Sequence, residues 1–253
     1  MTDKERNLTG KTSKDHGEST GKTYFVRLNY SERMQHMIFF ISFLVLGVTG
    51  FMVKTPEEVV IVLGRAGEMI FMFRSLLHRI AGVIMILISI YHIYYLISKP
   101  AGRRWIVDMR PTIKDLKDIA ANYLYYMGIK EKPPESDRFC YKHKIEYVAL
   151  VIGSILMSVT GLMLWTEYRW SKFLLDVSTV VHLMQSILAC LTIIIWHLYE
   201  VQWKPRRYPI DNMWLTGVMV EEEMKDKYPL QYKKIMANPE LQKIYIKRGN
   251  AKN

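Results

Sequence analysis

Cysteine is almost missing from this chain: its 253 residues include only Cys140 and Cys190. Neither lies in a CxxC or CxxCH pattern, which argues against covalent c-type haem, iron–sulfur clusters and zinc fingers within the chain. The two read as a surface thiol and a small core filler. A dinucleotide-binding fingerprint and any molybdenum or nickel motif are missing too. The stretch "MTDKERNLTGKTSKDHGESTGKT" has no apolar run ending in a small-residue cleavage site, so residues 1–33 are expected to form a polar, disordered arm and not a signal peptide.

Charge is missing in a more telling way. Lys and Arg number 35 and Asp and Glu 24, yet four windows are nearly free of both: 37–53, 80–97, 148–165 and 177–199. At ~1.5 Å rise per residue each is about long enough, with its flanks, to cross a hydrocarbon core of roughly 30 Å. The pattern predicts an all-α fold, a four-helix transmembrane bundle over 34–202 with helices at about 35–53, 76–97, 145–165 and 177–201. A polar tail, 203–253, follows, and no second soluble domain or solenoid repeat is expected.

The basic residues sort by side. Residues 1–33 hold seven, 98–144 eleven and 203–253 eleven, whereas the opposite loops 54–75 and 166–176 hold three and two. This bias predicts both termini and the long middle connection in the cytoplasm, with a bacterial inner membrane as the expected location. Topology and lipid headgroups then account for the net charge of +11, and no nucleic-acid partner is expected. Two connections carry apolar patterns: 56–73 should lie along the outer interface or under a partner, and 112–130 has helical spacing of Ile113, Leu116, Ile119 and Leu124.

What the chain does have is histidine in poorly solvated places. Five of its seven histidines sit on or at the ends of the apolar segments: His36, His78, His92, His182 and His197. His78 and His92 are fourteen apart, and His182 and His197 fifteen. On regular α-helices those steps end roughly 40° short of and roughly 60° past whole turns, so each pair shares a broad face, about 21 Å apart along the axis. The two helices run in the same direction, so His78 should meet His182 in depth, and His92 should meet His197.

Imidazoles facing across a bundle can take both axial positions of a haem iron, and two such pairs would hold two b-type haems. A lone membrane histidine can instead simply hydrogen-bond a neighbouring helix, but ionisable groups at matched depths are costly enough to indicate function. Chelation by imidazoles alone would favour i, i+3 or i, i+4 spacing, which these histidines lack. Gly47, Gly50, Gly82, Gly153 and Gly161 could make room for flat macrocycles, or serve ordinary helix packing. Arg74 and Arg79, flanking His78, suit propionate pairing or headgroup anchoring. A His-dependent proton or metal transporter and a non-redox membrane anchor are the competing classes.

The segments also resemble a known family. "RMQHMIFFISFLVLGVTGF" (33–51) is similar to the first helix of the b-type cytochrome subunits of formate dehydrogenases and nickel–iron hydrogenases, with an Arg-x-x-His start and a Thr-Gly end. "RSLLHRIAGVIMILISIYHIYYL" (74–96) looks more like the second helix of the cytochrome b of bc and bf complexes. "YKHKIEYVALVIGSILMSVTGLMLW", "VVHLMQSILACLTIIIWHLYEVQWKP" and the tail from Tyr208 resemble the formate dehydrogenase type again. The resemblance implies a dihaem cytochrome b exchanging electrons with quinone, its shared ligands falling on His78, His182 and His197. The fourth falls on His36 by the first likeness and on His92 by the second; the matched spacings lean to His92. The fifteen-residue step on helix four departs from the formate dehydrogenase pattern.

On this reading the chain is the membrane subunit of a larger redox complex. It would carry electrons between an outer iron–sulfur subunit or multihaem cytochrome c and menaquinone or ubiquinone near the inner haem. Candidates for the quinone and its proton route are Tyr141, His143, Lys144, Glu146, Glu200 and Trp203, all of which could equally be interfacial anchors.

Overall fold

Apolar runs this long form helices whose backbone bonds are satisfied internally, the form a chain must take to cross lipid. In a computed structural model, which describes residues 22–204 and 211–249, four helical spans are long and apolar enough to do so: Tyr30–Lys54, Arg65–Ser98, Tyr141–Trp165 and Lys172–Trp203. At most 17% of the most apolar stretch of any span is buried within the protein, leaving the remainder for lipid.

Asn29 opens α1 (Tyr30–Phe51) with a reciprocal cap: its side chain accepts from Glu32 N at 2.9 Å, and Glu32 accepts from Asn29 N at 2.8 Å. A 3₁₀ turn, Met52–Lys54, and α2 (Glu57–Leu63) cross the far end of the bundle. The chain turns at Gly64, whose φ of +53° is the left-handed conformation glycine tolerates. α3 then runs unbroken over Arg65–Ser98, 34 residues or about 50 Å. Residues 65–73, expected at the interface, are instead the first turns of α3, because no proline interrupts the segment. α4 (Pro100–Met109) and α5 (Ile113–Tyr126) form the connection at the opposite end, and α6 (Tyr141–Trp165) and α7 (Lys172–Leu191) complete the bundle. α7 continues as two π-helical stretches, Thr192–His197 and Tyr199–Trp203.

The helices pair as two hairpins, α1 on α3 and α6 on α7, with much thinner backbone contact between the hairpins. Side chains reach across the space between them: the His78 ring faces that of His182, and His92 bonds Tyr147.

At the end where α1 begins sits a folded cap, built from residues 23–26 of the expected disordered arm and from 211–249 of the polar tail. β1 (Thr23–Val26) is the central strand of an antiparallel sheet between β2 (Val218–Val220) and β3 (Ile246–Arg248). α8 (Met213–Thr216) precedes β2, and α9 (Glu221–Lys227), α10 (Pro229–Ala237) and α11 (Pro239–Tyr245) lie between β2 and β3. Phe25, Met219, Met224, Tyr228, Ile235 and Tyr245 form its core, outside the four spans. The Arg27 guanidinium lies 3.6 Å over the Tyr228 ring. Residues 1–21 of the expected arm and 205–210 of the tail lie outside the described residues.

Three ion pairs, made by the buried Arg138 and Lys144, tie cap and connections to the bundle. Arg138 reaches Asp108 at 2.9 Å and Glu32 at 3.6 Å, and donates to Arg27 O at 3.3 Å. Burial alone would lower its pKa, but Tyr245, Glu32 and Asp108 hold it above the ordinary value. Lys144 on α6 reaches Asp115 of α5 at 2.8 Å. Burial pushes the Asp115 carboxyl up, but the Lys144 and Thr112 bonds outweigh it and hold the group below the usual carboxylate range.

Candidate haem site

The sequence Val-Thr-Gly occurs twice, at 48–50 on α1 and at 159–161 on α6, and each copy holds one histidine of the neighbouring helix. Thr49 Oγ1 lies 2.8 Å from His78 Nδ1, and Thr160 Oγ1 lies 2.9 Å from His182 Nδ1. Each hydroxyl has one proton, and it is donated along its own helix, to Val45 O at 2.5 Å and to Leu156 O at 2.6 Å. The hydroxyls must therefore accept from the imidazoles. That fixes both tautomers with the proton on Nδ1 and the lone pair free on Nε2.

The adjoining glycines let the rings approach. A Cβ on Gly50 would sit 3.4 Å from His78 Cε1, and one on Gly161 would sit 3.3 Å from His182 Cε1. These two therefore make room for imidazoles, not directly for macrocycles, while Gly153 backs onto Gln185.

The His78 and His182 ring centroids are 6.4 Å apart with planes at 62°. A metal held between two imidazoles at about 2.0–2.1 Å from each nitrogen separates the ring centres by roughly 6 Å. The pair thus has the spacing, tautomer and outer hydrogen bonds that two axial haem ligands need. Arg74 donates to Thr49 O at 3.2 Å, leaving its Nε buried without a partner, and Arg79 lies 5.5 Å over the Trp165 ring.

Nearer the cap, where His92 is expected to pair with His197, the hydrogen bonds of His92 go to other residues. His92 Nδ1 is 2.7 Å from Gln35 Oε1, and His92 Nε2 is 2.9 Å from Tyr147 OH. Gln35 spends its amide on Ser31 Oγ at 3.1 Å, so its oxygen accepts from His92 and the Tyr147 hydroxyl donates to Nε2. Both nitrogens of His92 are engaged. His36 packs edge-on to Trp214 of α8, at 6.2 Å, and presents open surface. His197 Nδ1 is 3.2 Å from Glu146 Oε2.

The physical reason for the difference is the π-helix. Fifteen α-helical steps from His182 would overshoot, but each π turn takes up an extra residue, so the regular-helix angle does not apply to His197.

The remaining candidates disperse into local pairings. Tyr141 OH accepts from Asn122 at 2.7 Å, and Glu200 pairs with Lys142 at 2.6 Å and with Lys204 at 3.3 Å. His143 caps α6 by accepting from Cys140 N at 3.3 Å, Lys144 is committed to Asp115, and Trp203 is exposed. Gln35, Tyr147, Thr49, Thr160 and Trp214 were not singled out as site residues, although the repeated Val-Thr-Gly was a usable signal.

Four spans with imidazoles set between helix hairpins define a membrane cytochrome of the b type. The family description "prokaryotic cytochrome b561", that of the nickel–iron hydrogenase b-type cytochromes, matches residues 27–215, and the chain belongs to this family. No curated protein matches the chain significantly. It is thus an integral membrane electron-transfer protein that binds b-type haem.

Proposed function

We propose that the chain is the dihaem membrane subunit of a respiratory redox complex, with His78 and His182 holding the far-end haem and His36 and His197 the cap-end haem. The observation that carries the reading is the His78–His182 pair, each proton pinned on Nδ1 by a threonine and each Nε2 left free. Both engaged nitrogens of His92 favour His36 as the fourth ligand. When bound, b-type haem supplies a one-electron carrier.

The protein's own groups orient the imidazoles, exclude the wrong tautomer and separate the two sites along the bundle. The basic cap end faces the cytoplasm of a bacterial inner membrane. The far end then meets an iron–sulfur subunit or a multihaem cytochrome c, and menaquinone or ubiquinone reacts near the cap-end haem.

The test is haem quantitation by pyridine haemochrome on the purified chain and two variants. Two b haems in the native chain, one in His36→Ala and two in His92→Ala are expected. Loss of a haem in His92→Ala alone would return the fourth ligand to His92, and no haem in a folded preparation would end the reading.

A further inference from the structure

The two ends of the bundle treat their imidazoles differently. At the far end both Nδ1–H groups are given to neutral threonine hydroxyls. At the cap end His197 Nδ1 faces the Glu146 carboxylate at 3.2 Å. Glu146 is 16% exposed, and its second oxygen, Oε1, is buried with no partner. The two lysines that precede it on α6 are used elsewhere: Lys142 on Glu200 at 2.6 Å and Lys144 on Asp115 at 2.8 Å. Arg33, one turn before His36, donates to Leu215 O. The carboxylate is therefore directed at the imidazole alone. The far end carries the opposite sign: the Arg74 guanidinium sits on Thr49 O at 3.2 Å, on the residue that bonds His78.

We infer that Glu146 is a positioning and tuning residue that sets the cap-end haem at a lower reduction potential than the far-end haem. The inference rests on the dihaem reading. A carboxylate on Nδ1–H makes Nε2 a stronger donor to iron and favours the ferric state, more than a hydroxyl can. A nearby guanidinium favours the ferrous state at the other end. With both haems bound, electron transfer from the cap end to the far end would be downhill, one iron oxidised as the other is reduced, with no bond or proton exchanged.

The test is an optically monitored redox titration of the purified full-length chain, with haem counted in every sample. Two one-electron waves are expected, and the lower is the one lost in His36→Ala. Glu146→Gln should raise the lower wave and leave the upper in place, and Glu146→Asp should return it toward the native position. If Glu146→Gln loses haem, Glu146→Thr, which offers a hydroxyl as at the far end, is read by the same criterion. A lower wave that does not move while both haems remain overturns the inference, as does loss of the upper wave in His36→Ala. Fewer than two haems in the native chain would instead overturn the dihaem reading itself.

Discussion

Thr49 holds His78 through a hydroxyl whose single proton is already given to Val45 O, so the imidazole must be the donor. The same relation recurs between Thr160 and His182. Thr49→Val keeps the shape and removes the acceptor. It should leave the protein folded but weaken haem retention by about 10–100-fold, the usual cost of losing an outer hydrogen bond to a metal ligand. Haem transfer to excess apomyoglobin measures this; an unchanged transfer rate would deny the hydroxyl its role.

His92 should matter for stability and not for haem. Tyr147→Phe removes the donor to His92 Nε2 and strands a partly buried acceptor, which should cost about 1 kcal/mol. Thermal unfolding in detergent would register this as a lower midpoint at unchanged haem content. A drop in haem content would contradict the assignment.

Arg138 is the joint between cap and bundle. Arg138→Ala leaves the buried Glu32 and the partly buried Asp108 without their cation and should destabilise the cap by about 3–5 kcal/mol. Limited proteolysis should then cut first near α11. Arg138→Lys should rescue only in part, since one ammonium cannot reach Asp108 and Arg27 O with the arginine's fork.

The docking of α5 should fail in acid. Asp115 is held below its ordinary value in the fold, so its contribution is present above the unfolded pKa and is lost as pH falls through the still lower folded pKa. Hydrogen exchange over Ile113–Tyr126 should rise only below about pH 4. In Asp115→Asn that acid-dependent rise should vanish, with faster exchange already at neutral pH.

The spans were legible because hydropathy alone marks a lipid-crossing helix, and His78 and His182 were legible because a regular helix carries depth and face faithfully. The partner of His197 was not, because a π-helical turn leaves no mark on composition. Its extra residue made the fourteen-residue step on α3 look like the better match, and so drew attention to His92. The cap was missed for another reason. Tyr24, Phe25 and Val26 form a three-residue apolar stretch whose partners lie beyond residue 217, a separation that periodicity within one window does not register.

The sheet that joins β1 to β2 and β3 also sets an order of assembly. β1 emerges early from the ribosome, but its partner Ile246 follows Val26 by 220 residues (246 − 26). At about 5–20 residues per second the strand waits on the order of 10–40 s, with both edges open until β2 emerges and one edge open after that. During that wait all four spans must enter the membrane. The cap therefore closes last, and a chain that stalls late would carry an inserted bundle with an unpaired strand, a ready signal by which quality control could recognise unfinished molecules.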